Sequence, residues 1–450
     1  MLIRFTAENF RSINEEIVLS LIPGRMQKHG DHVALTDQEI KVLRLALLYG
    51  PNASGKSNVV RAMDFARRLI VEGLPAKREI PVEPFLLDKG RPSQPSRFEF
   101  EFNAGIHTYA YGFVLDRQRV YEEWLYLVKL HDETPLFERK TDDNDVTHAN
   151  FGNIATKDVD PQFLRYVARG TRPNQLLLTE LIENNVGTFD PPYNWFRNRL
   201  QIVFPHSHAR GIQLQVHKNQ KYSQALAAFL REMHTGIEEV NTKQVDLESI
   251  DLPMEMLANN LDAGNNSYET ANGASDSEER MVILDSSLGH RYLLARNDTG
   301  QIEAHALNTR RFIGDTPVDF ELLNESDGTR RLFDLFPILY GAEDRVFVID
   351  ELERSLHPSL VRRFVDIFLE SKTRNQLIVT THESTLLDLE LVRRDEIWFV
   401  EKSPSGASIL YSLEDFKPRH DLDIRRGYLQ GRFGAIPIFG SNLEPEYMEA

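Results

Sequence analysis

The string Gly50-Pro51-Asn52-Ala53-Ser54-Gly55-Lys56-Ser57 constrains this chain more than any other. It matches G-x-x-x-x-G-K-[ST], and its flanks suit it. The apolar run Leu45–Tyr49 leads in as a strand, and Asn58–Val71 leads out as a helix. Glycines let backbone N–H groups turn inward, and a helix N-terminus adds partial positive charge. The loop therefore reads as a cradle for phosphate oxygens, with Gly50, Asn52, Ala53, Ser54, Gly55 and Asn58 shaping or lining it. Lys56 is expected to reach β and γ phosphates, and Ser57 to ligate Mg²⁺.

Two further apolar runs end in chemistry. Val346-Phe347-Val348-Ile349 runs into Asp350-Glu351, as a buried strand ending in two carboxylates. Ligands in open α/β sheets bind at such strand ends. Asp350 is expected to hold Mg²⁺ and Glu351 to orient or deprotonate an attacking water. Gln376–Thr381 is a third buried run, and His382 follows it, close to where a γ-phosphate would lie. Before the helical stretch Thr329–Tyr340, Ser326 suits a helix cap and Gly328 permits close approach. Taken singly, each string has a plainer reading: an acidic surface turn, a structural histidine, a helix cap. Their combination with the phosphate loop favours chemistry.

The remaining pattern is α/β. Leu2–Phe10, Ile17–Leu21 and Val42–Leu48 read as strands, and Arg97–Phe102 alternates with Phe98, Phe100 and Phe102 on one face. Tyr109–Leu115 and Val120–Leu130 continue a meander, and the polar stretch 141–150 reads as a loop. From about 160 to 239 the spacing is helical, as in Leu177, Leu178, Leu181 and Ile182, and in Leu226, Phe229, Leu230 and Met233. Residues 252–279 lose periodicity, carry many turn formers and read as a mobile loop. Strands at 281–284, 292–295, 345–349 and 376–380 then alternate with helices at 329–340 and 359–370, which implies a parallel sheet. Expected divisions are 1–150, 151–280 (mainly helical) and 281–450.

Composition excludes several classes. The chain has no cysteine, hence no disulfide framework and no cysteine-based zinc or iron–sulfur site. No apolar run approaches a membrane span, and the N-terminus lacks the pattern of a secretion signal, so a cytoplasmic protein is expected. The net charge of −16 disfavours nucleic acid as a general partner, although a local basic groove could still bind DNA. The pairs Arg67-Arg68, Arg330-Arg331, Arg362-Arg363 and Arg425-Arg426 read mostly as solvated helix faces.

The order of these motifs resembles the ABC-type ATPases of the RecF, SMC and OLD kind. Asn9-Phe10-Arg11-Ser12, Pro51–Asn58 and Asp350–Pro358 carry the resemblance, which spans residues 1 to about 130 and about 315 to 440. It implies an α/β ABC-type P-loop head, with an antiparallel β subdomain, a mostly parallel sheet with helices, and a helical insertion. By position it implies that Ser326 and Gly328 are a signature motif, contacting the nucleotide held by a second subunit. Ser355 and His357 match the D-loop, His382 the switch histidine, and Arg11 lies near base or phosphates. ATP and Mg²⁺ are the implied cofactors, and a homodimer or higher homo-oligomer the implied assembly. Departures exist. The signature reads Glu325-Ser326-Asp327-Gly328-Thr329, which argues against a transporter head. Phe85-Leu86-Leu87-Asp88 lies where a Q-loop glutamine is expected. Heptads for SMC arms are absent, and a nuclease like the Toprim domain of OLD proteins is expected on another chain. Tyr428–Pro437 is similar to the C-terminal segment of stand-alone bacterial ATPases, including the ATPase subunit of the PARIS anti-phage system. It reads either as a subunit contact or as a loop covering a sheet edge.

The leading expectation is an ATP-hydrolysing oligomeric switch. By resemblance it controls a separate effector, a Toprim-type nuclease, in phage defence, with a phage-encoded trigger. A RecF-like DNA-repair ATPase and a nucleotide-gated scaffold with negligible turnover are the alternatives. A metabolite kinase gives Ser326 and Gly328 no role. No motif distinguishes ATP from GTP.

Overall fold

The computed structural model describes residues 1–26, 28–129, 132–157, 159–209, 211–247, 250, 282–285, 291–296, 301–341, 343–417 and 423–437. The expected loop at 252–279 lies outside them. The chain forms two compact units, both discontinuous in sequence. One comprises Met1–Pro205, Ala342–Glu353 and Leu369–Ala450, the other His206–Gly341 and Arg354–Phe368. These bounds differ from the divisions at 150 and 280 because distant segments pair within one sheet.

In the first unit a seven-stranded antiparallel sheet runs Thr147–Phe151, Asp132–Thr141, Val120–Lys129, His107–Leu115, Ser96–Ala104, Leu2–Glu8, Ile17–Ser20. Its alternation is the one read from sequence: Phe98, Phe100 and Phe102 are fully buried while Arg97, Glu99 and Glu101 are only half-buried. A second sheet runs Leu200–Val203, Val346–Ile349, Gln376–Thr380, Leu45–Tyr49, Ile397–Lys402, Ser408–Ser412. All its neighbours are parallel except the last pair. The three central strands are buried at every position, as runs covered on both faces must be. The helix Lys56–Glu72 shares one core with both sheets through Val59, Met63, Ala66 and Ile70.

That core has an ionic anchor. Glu123 and Arg139 are both fully buried and 3.0 Å apart. Glu123 also accepts from Tyr111 Oη at 2.9 Å and from the backbone N–H groups of Leu177 (2.6 Å) and Leu178 (2.9 Å). The helix Leu177–Glu183 has no cap from its own side chains. A carboxylate from the neighbouring sheet satisfies its orphan donors instead.

Several expectations need correction. The run Val42–Leu48 is not one strand. Lys41–Leu43 pairs with Val33–Leu35, and Leu45–Tyr49 joins the parallel sheet. Between them, buried Arg44 donates to Leu369 O (3.1 Å) and Ser371 Oγ (2.9 Å), which turns the chain. The stretch 141–150 is a hairpin, because Thr147–Phe151 pairs with Phe137–Thr141. Asp142 Oδ1 accepts from Asn144 and Val146 N–H and closes the turn. The segment 151–280 is not simply helical, since Leu200–Val203 and Glu239–Val245 are strands. Arg67 is not a solvated cation. Its Nε donates to Phe196 O (3.0 Å) and Leu200 O (2.8 Å), and burial pulls its pKa down.

The segment Tyr428–Pro437 lies on the strand Ile397–Lys402 of its own chain. Tyr428 and Phe433 stack on Phe399, Tyr411 Oη donates to Phe433 O, and Ala435 N–H donates to Glu401.

The second unit is built on Ile302–Ile313. This long strand pairs antiparallel with Glu239–Val245, Arg291–Arg296 and Thr316–Glu321, and Val282–Asp285 extends the sheet. Gln220–Glu232 packs with Asp327–Leu339 through Tyr222, Phe229 and Phe336.

Candidate functional site

In the first unit the strand Leu45–Tyr49 ends in the loop 50–55. Ala53 (φ 63°) and Gly55 (φ 108°) adopt left-handed conformations, which turn successive N–H groups towards one concavity. Gly55 has a second reason to lack a side chain: a Cβ there would lie 2.7 Å from Ser12 Oγ. The helix then starts at Lys56 with no side-chain cap. Its free N–H groups face the loop.

Lys56 is 6% exposed and folds back into the loop. Its Nζ donates to Gly50 O (2.8 Å), Pro51 O (3.2 Å) and His382 Nε2 (3.0 Å). Nε2 must therefore accept, which puts the histidine proton on Nδ1. Burial, and then the Lys56 charge, hold the imidazole pKa below its ordinary value and keep the ring neutral. Burial lowers Lys56 itself to about 8, against the opposing pull of Glu353, Asp350 and Glu351.

The carboxylate strand arrives beside this loop. Asp350 is buried, and its Oδ1 accepts from Ser57 Oγ (3.0 Å) and Thr380 Oγ1 (2.7 Å). Thr380 Oγ1 in turn accepts the Glu351 N–H at 2.8 Å. Glu351 sits at φ 53°, an unusual conformation for a side-chain-bearing residue. It is exposed, and with His382 it lines a cavity of about 210 Å³ whose floor is Asn52–Asn58, with Arg61 alongside. Glu353 Oε1 accepts from the His382 N–H at 2.7 Å and so holds the histidine backbone.

A relay of polar groups supports the loop from the other side. Asn58 Nδ2 donates to Ser12 Oγ (2.6 Å), which lies 2.8 Å from Ser408 Oγ, and Ser408 Oγ donates to Ser54 O (2.6 Å). Ser12 and Asn58 also border a second cavity, of about 590 Å³, lined by Arg11, Phe85, Leu86, Leu87, Arg117 and Lys402. Arg11 Nη2 pairs with Glu83 at 2.7 Å. Buried Asn9 organises this wall, accepting from Phe85 N–H and donating to the carbonyls of Arg91, Gln94 and Pro95.

Thus Gly50 to Asn58, Asp350, Glu351 and His382 converge within one unit, whereas Arg11 lies on the neighbouring cavity that Ser12 and Asn58 border. Thr380, Glu353, Ser12 and Ser408 join them, although sequence reasoning gave them no role. Thr380 and Glu353 stand within the quoted strings. Ser408 has no signal of its own, because it reaches the loop only through strand order.

Ser326, Gly328, Ser355 and His357, expected from the resemblance as signature and D-loop residues, lie in the second unit. Ser326 caps the helix Asp327–Leu339 by accepting the Thr329 N–H at 3.2 Å. Glu325 forms a two-pronged pair with Arg311 at 2.6 and 2.8 Å. A Cβ on Gly328 would lie 2.7 Å from Ser355 O, so only glycine fits against that turn. Ser355 adopts φ 61°, and His357 Nδ1 accepts the Ser359 N–H where the helix Pro358–Glu370 begins. Ser326, Gly328 and Ser355 therefore share one corner.

The family described as "AAA domain, putative AbiEii toxin, Type IV TA system" matches residues 45–388. No curated protein matches the chain. Among solved structures, an SMC head bound to the C-terminal winged-helix domain of ScpA is 14% identical, with 93% of this chain and 99% of that one covered and a TM-score of 0.39. The SMC head domain from Thermotoga maritima is 14% identical, with 91% and 98% covered and a TM-score of 0.36. A Pyrococcus furiosus Smc head with an extended coiled coil, bound to the C-terminal domain of ScpA, is 12% identical, with 93% and 99% covered and a TM-score of 0.34. Among the described residues no helix is long and apolar enough to cross a membrane.

Proposed function

Because the chain belongs to this AAA-domain family, whose members are ATPases, we propose that it binds and hydrolyses ATP with Mg²⁺ and works as a homo-oligomeric switch. The observation that carries the reading is the meeting of Ser57 with Asp350 and of Lys56 with His382, each at 3.0 Å, beside an exposed Glu351. The residues suit the ligand. Among the described residues Ser54 Oγ is buried in the loop with no hydrogen-bond partner, and Ser57 with Asp350 offers hard oxygen donors.

When bound, Mg²⁺ neutralises charge on β and γ phosphate oxygens. Ser57 and Asp350 would hold it. Lys56, released from the carbonyls of Gly50 and Pro51, would turn its ammonium to the phosphates. Glu351 would orient and deprotonate water, with its backbone fixed by Thr380. Neutral His382 would present Nδ1–H or Nε2 at the γ-phosphate position. Arg11 would flank the base side. Ser326 and Gly328, supported by Ser355 and His357, would complete the site from a second subunit. The roles of separate effector (a Toprim-type nuclease), phage-encoded trigger and cytoplasmic setting rest on the resemblance to stand-alone ATPases of the PARIS kind.

Glu351→Gln tests this directly. The general-base role predicts that phosphate release falls by about 10²–10⁴, while mass in solution under Mg-ATP shows a trapped oligomer. Release at the wild-type rate overturns the assignment. Duplex DNA that stimulates release at low salt would instead favour the repair reading.

A further inference from the structure

Away from the phosphate loop, residues 24–26 and 28–32 are clamped to residues 389–396 of the same unit. Buried Arg393 donates to Met26 O (3.1 Å) and Lys28 O (2.8 Å), and Gly24 N–H donates to Asp395 (2.7 Å). Two histidines stand at this seam. His32 is buried, and its Nδ1 lies 3.0 Å from the fully buried Glu396 carboxylate. His29 Nε2 lies 3.0 Å from Leu389 O. A carboxylate and a carbonyl can only accept, so each ring nitrogen so bonded carries the proton. The lone pairs then fall on His32 Nε2 and His29 Nδ1. The rings stack with centroids 4.8 Å apart and planes at 23°. Asp31 is exposed and stands between them in sequence. One donor atom from each of His29, Asp31 and His32 lies within 4.8 Å of the others. His29 holds φ 55°, ψ 54°, a left-handed conformation rare for a residue with a side chain, and this bend brings the two rings to one side.

We propose that His29, Asp31 and His32 form a binding site for one divalent transition-metal ion of the Zn²⁺ class. Two imidazoles and a carboxylate suit such an ion and not Mg²⁺ or Ca²⁺, which favour oxygen alone. Glu396 and Leu389 O act as the outer partners that fix tautomer and ring orientation, as carboxylates and carbonyls commonly do behind metal-bound histidines. The ion would fasten residues 28–32 at their seam with 389–396, and three protein donors leave room for water or one further ligand. The inference does not depend on the nucleotide site.

The test uses the full chain, stripped with chelator and free of nucleotide. Zn²⁺ alone is titrated against a chromophoric chelator. Wild type should take up one equivalent that a hundredfold excess of Mg²⁺ does not displace. His29→Ala and Asp31→Asn should each weaken uptake at least tenfold, and Glu396→Gln, acting through His32, about 10–100-fold. Asp31 is exposed and asparagine keeps its shape, so this variant separates lost binding from lost folding. Its metal-free thermal melt should match wild type, while Zn²⁺ should raise the melting temperature of wild type alone. The proposal is overturned if wild type takes up no stoichiometric ion, if the variants retain wild-type affinity, or if Mg²⁺ competes on equal terms.

Discussion

Lys56 offers the sharpest test of how the phosphate loop is built. Burial lowers its pKa to about 8, and its ammonium is held by Gly50 O, Pro51 O and His382 Nε2. A phosphate ligand needs the charged form and would raise that pKa. Binding therefore takes up a proton wherever free Lys56 is neutral, so affinity should weaken as pH rises through 8. The neutral fraction of the free protein is about one tenth at pH 7 and about nine tenths at pH 9. The dissociation constant should grow about tenfold between them, equivalent to about 1.4 kcal/mol. The assay is equilibrium binding of a fluorescent, non-hydrolysable ATP analogue from pH 7 to 9.5 at fixed ionic strength. Lys56→Arg is the control, because a guanidinium stays charged throughout. Its affinity will differ, but its pH slope should vanish. A wild-type affinity that is flat across this range would refute the reasoning, as would an equal slope in Lys56→Arg.

Two other consequences can be measured directly. Glu123→Ala strands a fully buried Arg139, two helix N–H groups and Tyr111 Oη, so urea denaturation should show a loss of about 3–5 kcal/mol. The double variant Glu123→Leu with Arg139→Met should recover much of that loss, and a single-variant loss below about 1 kcal/mol would contradict the anchor. Thr380→Val keeps the side-chain shape but removes the hydroxyl between Asp350 and the Glu351 N–H. Phosphate release should fall about tenfold or more, from the loss of a hydrogen bond to a charged group worth about 1.5–3 kcal/mol. Unchanged turnover would show that this hydroxyl does not set the carboxylates.

The parts of the molecule that sequence made legible are those whose residue types answer a local demand. Leu45–Tyr49, Val346–Ile349 and Gln376–Thr380 are apolar at nearly every position because both sheet faces are covered. Gly55 is required by a positive φ and Ser326 by a helix start, and both were readable. Strands whose reason lies far along the chain were not. Leu200–Val203 follows a run of polar residues and is a strand because Val346–Ile349 lies beside it. Glu239–Val245 is largely polar and gains its form from Ala304–Arg310. The site divides the same way. Lys56, Ser57, Asp350 and Glu351 announce themselves by spacing, whereas Ser408 matters only because the edge strand Ser408–Ser412 sets its hydroxyl against Ser54 O. The fit of Gly328 against Ser355 likewise needs the fold, since nothing in either string names the other.

The central claim is that the nucleotide site is completed by a second chain, and mixing two inactive variants tests it most directly. Lys56→Ala removes the ammonium proposed to bind phosphate, and Ser326→Ala removes the hydroxyl proposed to act as the signature. In a mixed dimer one site would combine both defects, and the other would combine two intact halves. The account predicts that each variant alone releases little phosphate, and that the mixture releases clearly more than the sum of the two. A mixture that shows assembled mixed dimers yet no gain over that sum would contradict it, and would place the working site within a single chain.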